Sequence, residues 1–387
     1  MKTSKQNDKS YVASTYARFD LEIVSGKGSL VYDEEGKEYI DLSSGIATNT
    51  FGLCDEEWCA AVEEQIHKFQ HTSNLYYSEP CATLAEMLCT RTGAKKVFFS
   101  NSGAEANECA IKTARKWALE NKGEGNHTVI TLKNSFHGRT VTTLAATGQD
   151  TFHTIFHPFT EGFIYADVNE PEALLEMAKS GCAAIMLECV QGEGGVMPIP
   201  EAFAEAVKKA LKDNDLLLII DEVQTGNGRT GTLYAYEQYG FSPDIVTTAK
   251  GLGGGLPIGA TMFFDKTENT LTPGTHGSTF GGNPVSCAAA ISVIKRIDDE
   301  LLSEIKAKSE YIKSELIGAP GIKGVSGMGL MLGIETEKDA GEIIAECMKN
   351  GTLPIKAKSK VRLLPALNIP WELLKKAVAI IKEAAKI

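Results

Sequence analysis

The chain has 387 residues, 43 % of them hydrophobic and 23 % charged, which allows a large core in two or three domains and excludes a disordered chain. A formal net charge of −11 disfavours a nucleic-acid or anionic-membrane surface. No apolar run approaches the roughly eighteen residues of a membrane helix.

The start, MKTSKQNDKSYVASTY, lacks an apolar stretch and does not read as a secretory signal. GSLVYDEEGKEYIDL predicts a short-stranded element with a turn at Glu35-Gly36. Continuous apolar runs follow: VFFS (97–100), VITL (129–132), AAIMLE (183–188), LLLIID (216–221) and DIVTTAK (244–250). Between several of them lie helical patterns such as AEANECAIKTARKWALE and PEAFAEAVKKALKDND. This alternation predicts an α/β fold whose mostly parallel sheet is covered on both faces, with ligands bound at the carboxyl ends of the strands. Asp221 and Lys250 sit at such ends. From about residue 285, long charged helices surround two strand-like pieces, LMLGIE and KVRLLPAL. The expected division is a large domain over 51–280, and a smaller α+β domain built from an N-terminal segment, 1–50, and the C-terminal region, 281–387.

Nine cysteines occur without a CxxC pair, and seven histidines give no HExxH or other metal spacing, so no metal is expected. Scattered cysteines in apolar company, such as Cys189, behave as small hydrophobes and indicate a reducing, cytoplasmic setting.

Asp221 and Glu222 end an apolar strand, as the acids of a Walker B motif do. An ATPase also needs GxxxxGK[ST], and neither Gly26-Lys27 nor Gly36-Lys37 has that context. KGLGGGLPIG likewise fails the GxGxxG spacing of a dinucleotide site. A different anion site is available where FFSNSGAEANE leads from a strand through Ser102, Gly103 and Ala104 into a helix. Free N–H groups and the helix dipole bind phosphate there, although Ser102 and Glu105 also spell a capping box that needs no ligand. Lys250 follows an apolar β-branched run, a setting that lowers a lysine's proton affinity and suits Schiff-base chemistry. A phosphate site, such a lysine and a strand-end aspartate are what pyridoxal 5'-phosphate (PLP) requires.

DEVQTGNGRTG…AKGLGGGLPIGA, SNSGAEANE, NSFHGRT, ECVQGEGGV and STFGGNPVSCAAA together resemble the ornithine-type (class III) aminotransferases of PLP fold type I. The resemblance runs from YARFDLEIV to VRLLPAL and implies a role for each matching position. Lys250 would hold PLP and shuttle the proton, and Asp221 would pair with the ring nitrogen, leaving Glu222 structural. Phe136 and Val223 would pack on the ring faces, with Gln224 at the ring hydroxyl. Ser102, Gly103 and Ala104 would hold the phosphate, completed by Ser278 and Thr279 of the partner in a homodimer. Arg139 would take the substrate carboxylate remote from the reacting amine, and Arg362 the α-carboxylate of glutamate. Glu193 would neutralise Arg362 while the other substrate is bound. Tyr16 matches a tyrosine near the remote end of the substrate. Without the resemblance, Phe136 reads as a core aromatic and Arg362 as a solvated strand arginine.

Within the family, Gly45 stands where ornithine-specific members carry an aromatic residue. That leaves room for an acyl group and implies transfer from N2-acetylornithine to 2-oxoglutarate, in arginine synthesis. Ornithine, succinylornithine, 4-aminobutyrate or an acylated lysine precursor are the alternative donors. An aminomutase has no need of Arg362, and a transcription-regulator sensor domain would need an added basic segment. Two departures are FGLCDEEW, in place of a Gly-His-x-His-Pro-like stretch, and Ser326, where a basic residue is common.

Overall fold

The computed structural model describes residues 3–386. Its large sheet has seven strands: β1 (Lys96–Ser100), β2 (Thr128–Leu132), β3 (Phe163–Ala166), β4 (Cys182–Leu187), β5 (Leu217–Asp221), β6 (Ile245–Thr248) and β7 (Gly259–Phe263). They lie in the order β1-β7-β6-β5-β4-β2-β3. The pairings among β2 to β6 are parallel, while β7 runs antiparallel to both neighbours. Five strands match the five apolar runs. The other two escape that reading: β3 is a half-buried edge strand, and β7 is a short segment beginning at a glycine.

Burial on both faces explains the unbroken apolar strands. Leu218 and Ile220 of β5 join a core with Phe203, Val207 and Ala210 of the helix Glu201–Asn214. Leu217 and Ile219 meet Cys109, Ala110, Ala114 and Trp117 of the helix Gly103–Lys122. With its apolar neighbours fixed on both sides, β5 delivers Asp221 to its carboxyl end.

The two chain ends meet. Strands Ile23–Lys27, Leu30–Asp33 and Glu38–Asp41 form a sheet whose last strand pairs in parallel with Thr352–Leu353. The expected turn forms at Gly36 (φ 79°), with Asp33 Oδ1 accepting the N–H groups of Glu35 and Lys37. The C-terminal region holds a four-stranded antiparallel sheet, in the order Ile322–Met328, Met331–Thr336, Lys360–Leu363, Ile355–Ala357. The two expected pieces are its two central strands. The helix Pro284–Ile294 packs on helices Glu56–Lys68 and Glu79–Thr92, beside the large sheet.

Candidate active site

A cavity of about 470 Å3 opens at the carboxyl ends of β5 and β6. Ser102, Gly103, Ala104, Phe136, Arg139, Asp221, Val223, Gln224 and Lys250 all line it. Asp221 is buried, and its oxygens are fully engaged on the protein side. Oδ2 accepts from Asn107 Nδ2 and lies against His137 Nδ1, both at 2.8 Å, and Oδ1 accepts the Val223 N–H at 3.0 Å. Asn107 is itself fixed, donating to the His137 carbonyl and accepting from Thr247 Oγ1 at 2.7 Å. Such satisfied buried networks hold a carboxylate in one orientation. Neither Asn107 nor His137 was singled out from the sequence. Asn107 was findable as a polar residue on the largely apolar inward face of its helix, between Ala106 and Cys109–Ala110. His137 lay inside the quoted NSFHGRT. Glu222 points away, accepting from Thr225 Oγ1 at 2.5 Å and the Tyr236 N–H at 2.8 Å. Burial pushes its carboxyl up to about 7.

Lys250 opens a short 3-10 turn two residues beyond β6, in left-handed backbone (φ 43°). For a residue with a Cβ that conformation costs about 1–3 kcal/mol and persists only where the surroundings enforce it. They do so here: Thr50 Oγ1 donates to the Gly251 carbonyl at 2.7 Å, and Trp58 Nε1 to that of Gly253 at 3.0 Å. Trp58 belongs to FGLCDEEW, so this departure reaches the segment that carries Lys250. A Cβ on Gly254 would meet the Trp58 ring at 2.8 Å, which accounts for one glycine of the GLGGG run. The ammonium makes no hydrogen bond among the described residues. Burial lowers its proton affinity by more than the carboxylates of Glu193, Asp221 and Glu188 restore, and Arg362 acts in the same sense as burial.

The wall opposite is the start of the helix Gly103–Lys122. Ser102 Oγ accepts the Glu105 N–H at 3.2 Å, but Glu105 accepts the N–H of Asn101, at 2.8 Å, rather than that of Ser102, so only the first half of the expected capping box forms. The N–H groups of Gly103 and Ala104 have no partner among the described residues and remain for a ligand. A Cβ on Gly103 would lie 2.6 Å from Val223 Cγ1, so only glycine lets the helix start approach Val223. An unpaired lysine amine, a clamped carboxylate and an open helix start fit the aldehyde, pyridine nitrogen and phosphate of PLP. Glu188, also unflagged from sequence, lines the same cavity and accepts the Phe136 N–H at 3.1 Å. Burial, reinforced by Asp221, pushes its carboxyl well above the usual range.

Arg362 and Glu193 do not line this cavity but abut it through Gln224: Arg362 Nη1 meets Glu193 Oε1 at 2.6 Å and Gln224 Oε1 at 3.2 Å. Burial opposes the charge of Glu193, but Arg362 outweighs it and holds the carboxyl below the usual range. Arg139 has no hydrogen bond or ion pair among the described residues; its guanidinium lies over the rings of Phe152 and Phe136, at 4.9 and 5.9 Å.

Tyr16, Ser278 and Thr279 do not line the cavity of their own protomer either. Tyr16 is 73 % exposed and lines a separate groove of the N-terminal segment. Ser278 Oγ accepts from Asn101 Nδ2 at 3.2 Å at the cavity's edge, and Thr279 is exposed. Gly45 lies in a left-handed turn, Ser44–Ala47 (φ 41°, 64°, 60° and 63°), that leads to Thr48 on the cavity wall. The missing basic residue at 326 has a local counterpart, since Lys360 Nζ donates to Ser326 Oγ at 2.7 Å.

The chain matches the family described as Aminotransferase class-III over residues 11–385. It is 49 % identical to an acetylornithine aminotransferase of Haemophilus ducreyi, over 98 % of this chain and 97 % of that one. It is 43 % identical to an acetylornithine aminotransferase of Bacillus subtilis, over 96 % of each. Among solved structures it is similar to the ornithine aminotransferase of Toxoplasma gondii, with TM-score 0.94 and 32 % identity, covering 100 % of this chain and 95 % of that one. It is also similar to the N-acetylornithine aminotransferase of Stenotrophomonas maltophilia, with TM-score 0.83 and 35 % identity, covering 96 % and 97 %. With a sheet that carries Asp221 and Lys250 to one cavity and a match along nearly its whole length, the chain belongs to the class-III aminotransferases, which depend on PLP.

Proposed function

We propose that this chain transfers the distal amino group of N2-acetyl-L-ornithine to 2-oxoglutarate, giving N-acetyl-L-glutamate 5-semialdehyde and glutamate, as a step of arginine synthesis. The observation that carries the reading is a pair of unlike arginines: Arg139 on the cavity wall without a partner, and Arg362, bonded to the cavity-lining Gln224, neutralised by Glu193. Relatives at 40–49 % identity that carry the acetylornithine aminotransferase name support the donor.

When bound, PLP supplies an electron sink for the charge that develops on the substrate carbon. Asp221, oriented by His137 and Asn107, keeps a proton on the ring nitrogen. Gly103 and Ala104 would hold the phosphate with their free N–H groups beside Ser102, and Phe136 and Val223 would confine the ring. Gln224 reaches the ring hydroxyl. Lys250 would hold the cofactor, and its amine would take a proton from the substrate carbon and return it, a task helped by its lowered proton affinity. Arg139 orients the carboxylate of acetylornithine, and Glu193 keeps Arg362 neutralised meanwhile. When glutamate or 2-oxoglutarate enters, its second carboxylate replaces Glu193 on Arg362, so one pocket serves both substrates.

A homodimer completes the site in this reading. Leu75, Tyr76, Tyr77 and Phe280 are large exposed apolar side chains of the kind that mark an interface, and exposed Thr279 is available to a partner's phosphate, with Ser278 beside it. Tyr16, distant from the cavity of its own protomer, would act only through a rearranged N-terminal segment or across that interface. The pairing of the chain ends supports a small domain drawn from 1–50 and 281–387 around the 51–280 domain. Nine free cysteines suit a cytoplasmic setting, and no helix of the described residues is long and apolar enough to cross a membrane.

The test follows the visible absorbance of the PLP-loaded protein as N2-acetylornithine, ornithine and 4-aminobutyrate are added separately. Fast loss of the band with acetylornithine and slow loss with the others is expected. Faster loss with another amine would replace the donor, and absence of a band after PLP is supplied would overturn the enzymatic reading.

A further inference from the structure

Arg139 poses a physical problem. A long, exposed guanidinium without a hydrogen bond or ion pair samples many rotamers, and each must be abandoned when a carboxylate is captured. Here the guanidinium has a rest: it lies 4.9 Å over the ring of Phe152 and 5.9 Å over that of Phe136, and the two rings meet edge-on at 6.2 Å. A cation over an aromatic face gains electrostatic attraction while its N–H edge stays free. Phe136 already faces the cavity, whereas Phe152 does not line it.

The segment carrying Phe152 is held to the same loop as Arg139. Its 3-10 turn, Asp150–Phe152, starts behind Gly148, where a Cβ would collide with the Leu132 carbonyl at the end of β2. Gly148 accepts the Asn134 N–H at 2.6 Å, and its own N–H donates to Ser135 Oγ at 3.0 Å. Gln149 Nε2 donates to the Ser135 carbonyl at 3.0 Å, and the Phe152 N–H to the Gln149 carbonyl at 3.0 Å. The strand end, Asn134–Ser135 at the start of the loop that carries Arg139, and the Phe152 turn are therefore one hydrogen-bonded unit, and the ring mounted on it meets the Arg139 guanidinium.

We infer that Phe152 is a positioning residue for substrate binding: its ring presets Arg139 with the N–H edge open to the carboxylate remote from the reacting amine. The inference rests on the carboxylate role proposed above for Arg139, and the test separates the two. A double-mutant cycle would use Phe152→Ala and Arg139→Ala, with Phe152→Tyr and Phe152→Leu as companions. The readouts are the slope of the first half-reaction against N2-acetylornithine concentration, measurable without saturation, and the dissociation constant of glutarate from the single Phe152 variants. Phe152→Ala is expected to lower the slope and weaken glutarate by about 3- to 30-fold, Phe152→Leu by a similar factor, and Phe152→Tyr by less than about twofold. In the Arg139→Ala background, Phe152→Ala is expected to add nothing, because its effect passes through the guanidinium. An equal loss in that background, or wild-type binding by Phe152→Ala when Arg139→Ala is impaired, would overturn the inference. An unimpaired Arg139→Ala would instead remove the carboxylate role on which it stands.

Discussion

The two ends of the cavity are built on opposite principles. Around Asp221 every contact is doubled: Asn107 touches the carboxylate, the His137 carbonyl and Thr247, and His137 lies against the same carboxylate oxygen. Around the arginines contacts are left open or exchangeable, with Arg139 unpaired and Arg362 held by a glutamate whose side chain is 32 % exposed. The first arrangement suits a cofactor that stays through every turnover, since preorganised dipoles need not rearrange. The second suits two substrates that differ by one carboxylate, because a removable counter-ion lets one site accept both.

The largest expected effect lies at the rigid end. Lys250→Ala should lower the half-reaction rate by at least about 10^4-fold, because anchor and proton carrier are lost together. Single-turnover loss of the cofactor band measures it, and a fall of less than tenfold would refute the assignment. Asp221→Asn should cost roughly 10^2- to 10^3-fold in the same assay, the scale of losing one preorganised charge at the reacting group. His137→Phe should cost about 10- to 100-fold, as the loss of a supporting contact usually does. If His137→Phe cost more than Asp221→Asn, Asp221 would no longer be the principal group.

At the exchangeable end the effect should be selective rather than large. Glu193→Ala leaves Arg362 charged and available, so the ratio of acetylornithine to glutamate half-reaction rates should fall by about tenfold. An unchanged ratio would mean that Glu193 is no switch.

A further effect concerns stability rather than rate. The folded-state pKa of Glu222, about 7, lies above the usual glutamate value. The folded chain therefore binds a proton more tightly than the unfolded one, so the stabilisation is complete below pH 4.5 and is lost as pH rises towards 7. Its loss amounts to about 3 kcal/mol for a shift of this size. Denaturant midpoints from pH 4.5 to 8 should show that decline, and Glu222→Gln should flatten it. A decline that persists in the variant would assign the titration to another group.

Local signals made much of this chain legible. Leu217–Ile220 is buried on both faces, so its apolar run declared a central strand, and the acid that ends it was visible as a strand-end ligand. Lys250 was legible from the β-branched run before it and the glycines after it, although Trp58, the reason for one of those glycines, was not. β3 and β7 were hidden because an edge strand and a glycine-led strand give weak periodicity. Ser102 carried two readings, capping box or phosphate site; its side chain caps the helix without the reciprocal bond of a full box, and the next N–H groups stay free for a ligand.

The sequence by itself determined five of the seven strands, their coverage and the strand-end positions of Lys250 and Asp221, because strand ends and helix starts are written in neighbouring residues. Only the tertiary structure decided the partnerships: Asn107 with Asp221 across 114 positions, His137 with Asp221 across 84, and Arg362 with Glu193 across 169. Those pairs have no local signature. They follow from two-sided packing of the sheet, which alone fixes which distant loops converge on one carboxyl edge.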